Sequence, residues 1–416
     1  MNKIFLADKG IEYTYDKLIA DLNKKDNYYS YLYINENNPY QVFLAIIHSL
    51  LYNYSIEIID GNLSKQELEE MHVETKALVT IRRVSKQKIF KNYETILKEL
   101  IKNEKWTLTL YTSGTTNRPK KVNHTLKTLL RNVKVHKKFE KDIWAFAYNP
   151  THMAGLQVFF QAVLNQNTLI YTFDERQKNL PTLIETYNIT NISATPTYYR
   201  NVFPYLKNQL FMSVKRVTFG GEKYDSKFEA IIASIFPNAK IRNIYASTEA
   251  GSLFIAKGDI FEIPKSIREL IKINNHNELL IHFDLLGSSE SFSLTNNWFN
   301  TGDVVEQINQ YCFRFMSRQS DMINVGGYKV NPIEVENLLM KIPGIIDATV
   351  KGKENSVTGK ILIVDIVKDK DFDDEEKLKI SIKQLASENL QSWKIPRIIR
   401  FVNEIPKTRT GKKVRK

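Results

Sequence analysis

Cysteine is almost missing from this 416-residue chain. Cys312 stands alone, so no disulfide framework can form and a reducing compartment suits the composition. Histidine is sparse as well. None of the seven is paired with another at i, i+4, and no Cys/His cluster has zinc-ligand spacing. Long apolar runs are absent. The longest apolar stretch, residues 42–59, is broken by His48, Asn53, Ser55 and Glu57 and reads as a core helix plus a strand, not a membrane span. The first residues reach Lys3 and Asp8 too soon for a signal peptide. No zinc-finger, homeodomain or RNP-type pattern occurs, nor an arginine-rich aromatic stripe, which argues against nucleic acid. The expectation is a cytoplasmic globular protein with neither a membrane nor a nucleic-acid partner.

What the chain does have is length, charge and order. Its 416 residues suffice for two or three domains, and a net charge of +13 favours anionic ligands and partners in a general way. Residues 13–22 read as a strand and an amphipathic helix, 42–52 as a buried helix and 55–60 as a strand. Ser64 and Glu67 form a capping box. Strands are expected at 106–111, 144–148, 168–173, 192–197, 217–222 and 241–249, alternating with helices that include a basic one over 125–138. This is an α/β pattern whose strands repeatedly end in Thr, Gly, Glu or Tyr. Open α/β sheets bind ligands at such ends.

Residues 278–283 and 291–294 look like hairpin material, followed by strands 304–308 and 311–316. After a polar break at 318–321, Asn331-Pro332 offers an N-cap and a proline at the first helical position. Strands 346–350, 361–367 and 398–402 and a helix with Leu378, Ile382, Leu385 and Asn389 on one face complete a small α+β unit.

Thr112-Ser-Gly-Thr-Thr116 follows the strand 106–111 and precedes Arg118, Lys120 and Lys121. Hydroxyls, free backbone N–H groups and cations around a glycine can surround a phosphate, although the Walker spacing is missing. Alone, the same residues also describe a Ser/Thr-rich hairpin with a solvated basic end.

Five further stretches stand in order with this one: Phe219-Gly-Gly-Glu222, Tyr245-Ala-Ser-Thr-Glu249, Trp298-Phe-Asn-Thr-Gly-Asp303, residues 317–327 and Pro406-Lys-Thr-Arg-Thr-Gly-Lys412. Together the six resemble the adenylate-forming superfamily of acyl-CoA synthetases, peptide-synthetase adenylation domains and luciferases, over almost the whole chain. Ser320 is similar to the o-succinylbenzoate-CoA ligase type at a position where Asp or Lys is common.

The resemblance implies a large N-terminal domain of αβ-layered sheets plus a β-subdomain (residues 1–319, shortened at its start), and a small mobile α+β C-terminal domain (320–416). It implies an ATP- and Mg2+-dependent activation of a small carboxylic acid to an acyl-adenylate. Transfer to a thiol follows, with CoA preferred over a carrier protein's phosphopantetheine. A non-catalytic nucleotide-binding relative is the reading from another class.

By the same resemblance, Thr112, Ser113, Gly114, Thr115, Thr116 and Lys120 hold the outer phosphates. Thr248 bonds the α-phosphate and Glu249 holds Mg2+. Gly220, Gly221, Glu222 and Tyr245 enclose adenine, Asp303 accepts the ribose hydroxyls and Arg318 approaches the ribose from the hinge at Ser320. Lys412 is the adenylation lysine. His152, Gly155 and Ala246 border the acyl pocket, and Gly326, Gly327 and Tyr328 face the thiol step. Two departures stand in the phosphate loop, Asn117 and Lys121, each where glycine is usual; Lys121 is expected to add charge there.

Overall fold

The computed structural model describes residues 3–24, 29–71, 73, 81–83, 88–112, 120–221, 226–325, 328–355, 359–370, 372, 374–407 and 413–414. Four parallel neighbours, Ile143–Phe146, Asn191–Ala194, Arg216–Gly220 and Lys240–Ser247, form the middle of a 14-stranded sheet. The sheet turns antiparallel at Gly251–Lys257 and runs on into Trp298–Asn309 and Cys312–Arg318. Parallel strands buried on both faces require continuous apolar sequence. Ile192, Ala194, Val217 and Phe219 supply it, beneath helix Pro196–Leu206, which begins at an N-cap, Thr195, and Pro196.

A second sheet, Tyr33–Glu36, Ile56–Asp60, Thr107–Thr112 and Lys120–Thr125, lies against helix Pro39–Tyr52. Trp106, 1% exposed, fixes this packing because its indole N–H reaches the Ser49 hydroxyl at 3.0 Å. A bridge between Asn123 and Ser288 links the second sheet to the antiparallel part of the first. The reciprocal capping box of Ser64 and Glu67 is present as the sequence requires.

The last quarter of the chain has its own apolar cluster, built from Val330, Val335, Leu339, Ala348, Val350, Leu362, Val364, Leu378 and Ile382. It fills the space between the sheet Ile345–Asn355, Gly359–Lys368, Ile398–Phe401 and helices Pro332–Leu339 and Glu375–Asn389. Ala386 occupies the buried face of the last helix, whereas Asn389, expected there, is exposed. Among the described residues no helix is long and apolar enough to cross a membrane.

Two expected elements are corrected. The basic helix over 125–138 is helical only at Leu126–Leu130, capped by Thr125, with a short 3-10 turn at Lys137–Phe139. Arg131 and Asn132 end it by turning their side chains to distant carbonyls, and β-branched Val133 and Val135 give the helix little reason to continue. Of residues 291–294 only Leu294 enters a hairpin arm: Leu294–Thr295 pairs with Trp298 and Phe299, while Ser289 and Ser291 bond one another before it, and Glu278–His282 pairs with Ile271–Ile273 as well as with Trp298–Asn309.

Candidate active site

The parallel strands end, at their carboxyl side, in Gly220-Gly221 and in Tyr245-Ala246-Ser247. Gly221 has φ +79°, a left-handed backbone that a side chain would strain, so the chain can leave the strand sharply. Between Tyr245 and Ala246 the pairing with Gly251–Lys257 slips by a bulge. The extra residue is Leu253, on the strand Gly251–Lys257, and such a residue bends the strand that carries it.

Tyr245, Asp303 and Arg318 come together although they are far apart in sequence. Asp303 is 2% exposed and lies opposite Arg318 on adjacent strands. Tyr245 donates its hydroxyl to Oδ2 at 2.6 Å, and Arg318 donates Nε–H to Oδ1 at 2.8 Å. Each carboxylate oxygen can accept about two bonds, so one position on each oxygen is left for a diol. Burial pushes the Tyr245 phenol well above its ordinary value, and the Asp303 charge adds to that shift. Burial works against the Arg318 cation, yet the Asp303 charge outweighs it and the guanidinium is held more firmly protonated than usual. This is a preformed, polarised acceptor.

Glu249 is held differently. Its carbonyl accepts from the Gly287 N–H at 2.8 Å, and the adjoining Thr248 carbonyl accepts from His124 Nε2 at 2.7 Å. Arg131 donates to the Ala250 and Leu285 carbonyls, Asn132 to that of Ser252, and the Ala250 N–H bonds the Ser247 hydroxyl. The backbone around Glu249 is thus fastened on all sides. Among the described residues, no hydrogen bond or ion pair engages its carboxylate. That arrangement fits Mg2+, which takes one or two carboxylates and completes its shell with water and nucleotide phosphates. No cluster of three or more ligating side chains occurs among the described residues.

His124 was not among the residues singled out from sequence. A carbonyl only accepts, so Nε2 carries the proton, and Nδ1 lies 3.3 Å from the Thr128 hydroxyl. Burial, with a smaller push from Arg131, lowers its pKa to about 4, against the upward pull of the Thr248 bond. The imidazole is therefore neutral at physiological pH. Its ring is also the reason residue 287 has no side chain, since a Cβ there would lie 2.7 Å from Cε1. The local sequence signal, one histidine on an alternating strand, is too common to have found it.

The proposed phosphate loop is described only at its two edges, where Thr112 pairs with Lys120 across the strands Thr107–Thr112 and Lys120–Thr125. Ser113, Gly114, Thr115, Thr116 and Asn117 lie outside the described residues, as do Glu222, Gly326, Gly327 and Lys412. Ser320 falls in the turn Gln319–Asp321 between the strand Cys312–Arg318 and the small sheet's elements. Lys121 departs from expectation. Alternation turns it to the opposite face from Lys120, where it pairs with Glu57 at 3.2 Å and lies 5.4 Å from the Tyr111 ring centre. Its charge is thereby committed outside the loop.

His152 caps helix Met153–Leu164, and its Nε2 lies 4.0 Å from Oδ2 of Asp60, a buried acid that also accepts from Asn149 at 2.9 Å. Gly155 admits the Asn149 carbonyl against the helix; a Cβ would collide with it. Its smallness therefore serves packing at the pocket's border. Ala246 sits at the bulge already described. Tyr328 is 53% exposed and stacks on Trp393, ring centres 4.2 Å apart.

A sheet of mixed direction, a buried carboxylate oriented by Tyr245 and Arg318 and a braced acidic loop at its strand ends make up the architecture of the site. Solved structures agree on the fold. An o-succinylbenzoate-CoA synthetase from Bacillus subtilis, in complex with its acyl-adenylate intermediate, superposes with TM-score 0.70 at 19% identity, covering 100% of this chain and 94% of that one. ATP-bound MatB from Rhodopseudomonas palustris gives 0.74 at 14% identity, covering 99% and 94%.

The sequence profile of the AMP-binding enzyme family matches residues 45–270, and that of the AMP-binding enzyme C-terminal domain matches 334–412. The chain belongs to the AMP-binding enzyme family. Among its relatives, the 2-succinylbenzoate–CoA ligase of Listeria monocytogenes serotype 4b (strain F2365) is 25% identical over 327 residues, 73% of this chain and 67% of the relative. That of Staphylococcus aureus (strain MRSA252) is 26% identical over 331 residues, 73% and 64%. The match thus spans about two thirds of these relatives' length.

Proposed function

We propose that this protein is an AMP-forming acid–thiol ligase. A carboxylate oxygen attacks the α-phosphorus of ATP, the bond to pyrophosphate breaks, and an acyl-adenylate forms. The thiol of CoA then attacks the acyl carbon and AMP leaves. The observation that carries this reading is the Asp303 acceptor: a buried carboxylate with both oxygens pre-oriented and spare capacity for a ribose diol. Holding the nucleotide there brings its phosphates toward Glu249, Thr248 and Lys120. Mg2+ at Glu249 would neutralise phosphate charge. Lys412 would offset the charge building between carboxylate and α-phosphate. The small domain, residues 320–416, would turn about Ser320 between the two steps, bringing the Tyr328 face forward for the thiol.

The acid we favour first is 2-succinylbenzoate, on the strength of the named relatives. The test is ATP–pyrophosphate exchange across a panel of carboxylic acids that includes it, followed by mass spectrometry of the CoA thioester. Exchange with one acid, and its loss in Lys412→Ala, is the expected result. No exchange with any acid would overturn the reading. Exchange without a CoA thioester, but with loading of a phosphopantetheinylated carrier, would move the acceptor from CoA to the carrier; a net charge of +13 would attract an acidic one.

A further inference from the structure

The side chain of Lys413 is buried, although it stands in a basic sequence where lysines normally face water. Its side chain is 7% exposed and forms an ion pair with Asp347, itself 7% exposed, at 2.5 Å. The same ammonium donates to the Ala348 carbonyl at 2.7 Å. Asp347 Oδ1 also accepts the Ala348 N–H at 2.9 Å, so the buried charges meet a backbone donor and a backbone acceptor as well as each other. Taking two such charges out of water is costly, and a buried pair adds little net stability compared with apolar residues. What it does enforce is register, because any other placement of the tail strands a charge.

The backbone agrees. Lys413 bridges to Lys407, and the Val414 N–H bonds the Pro406 carbonyl at 2.9 Å. Residues 407 and 413, the two ends of the segment 408–412, are held side by side on the small domain. Burial alone would raise the Asp347 carboxyl, but the charge of Lys413 and then that of Arg200 hold it below the ordinary carboxylate range. Arg200 is 8% exposed on helix Pro196–Leu206, its guanidinium 5.4 Å from the centre of the Phe228 ring.

We propose that Lys413 and Asp347 form a positioning anchor for adenylation: the pair fastens to the small domain the segment that carries Lys412. Lys413 touches no substrate. It acts through its neighbour, and the inference rests on the reading of Lys412 as the adenylation lysine.

The test uses the full-length protein and the variants Lys413→Met, Asp347→Asn and Lys412→Ala, with each variant's melting temperature measured. Two half-reactions are followed: exchange with the acid that supports it in the unmodified protein, and conversion of the supplied acyl-adenylate of that acid to the CoA thioester. Lys413→Met and Asp347→Asn should slow exchange about tenfold and change thioester formation less than twofold. Limited trypsin digestion supplies a readout independent of activity. Asp347→Asn retains every basic residue of the tail, and its cleavage after residues 407–412 should be severalfold faster. Equal loss of both half-reactions, or an unchanged cleavage rate, would overturn the anchor. If Lys412→Ala leaves exchange intact, the reading of Lys412 fails, while the cleavage comparison still judges the anchor by itself.

Discussion

Glu249 and Asp303, the two acids of the proposed site, are held in opposite ways. Asp303 is fixed through its side chain, with Tyr245 and Arg318 on its two oxygens. Glu249 is fixed through its backbone, by His124, Gly287 and the groups around Ala250, and none of these engages its carboxylate. A carboxylate that must accept neutral hydroxyls gains from being oriented and polarised beforehand. One that must meet a cation gains from keeping its charge unspent. The contrast implies that the two acids divide between them two tasks that a sequence shows only as an acid after a small residue.

The sharpest way to break this contrast is to remove both charges in turn. Asp303→Ala should be the most damaging change, lowering exchange at least 100-fold. It should also cost about 1–3 kcal/mol of stability in urea unfolding, because Tyr245 and Arg318 lose their acceptor. Glu249→Gln should reduce exchange by a similar order, about 100-fold, with a melting temperature within about 2 °C of the parent, since no described partner is orphaned. A stability loss equal to that of Asp303→Ala would erase the distinction.

The bracing of Glu249 has a pH signature. His124 has a pKa of about 4 in the folded chain and the ordinary value of 6.5 when unfolded, so the unfolded state binds the extra proton between those limits. Stability is therefore fully present above pH 6.5 and falls as the pH drops toward 4, by up to about 3 kcal/mol. His124→Gln keeps a donor and removes the titration. Its urea midpoint should vary less over this window than the parent's. An unchanged slope would show that other groups dominate.

The smallest effect belongs to Lys121→Met. A half-exposed pair such as Lys121–Glu57 contributes about 0–1 kcal/mol. Exchange should change less than twofold, which a lysine in the phosphate loop would not allow.

Much of this was legible in the chain. Strand ends rich in Gly, Thr and Glu, the proline-started helices and the six ordered motifs stand in the sequence because local backbone preference and motif chemistry are short-range properties. The elements misjudged were those where a distant partner won. Arg131 and Asn132 end a helix to reach carbonyls about 120 residues away in sequence, and Lys121 turns to Glu57 on a strand beyond its neighbour Thr107–Thr112. His124 was invisible for the same reason: its partner, Thr248, lies 124 residues on.

The sequence by itself determined the order of most strands and helices and which residues are proposed to carry phosphate-, diol- and metal-binding chemistry. Tertiary structure decided which of them meet. Asp303 becomes a polarised acceptor only when Tyr245 and Arg318 are brought onto it from separate strands. Lys413 becomes an anchor only because Asp347 waits in the small domain. Charge and hydrogen bonding act over a few ångströms, and which residues lie within that reach is set by the packing of sheets, not by position along the chain.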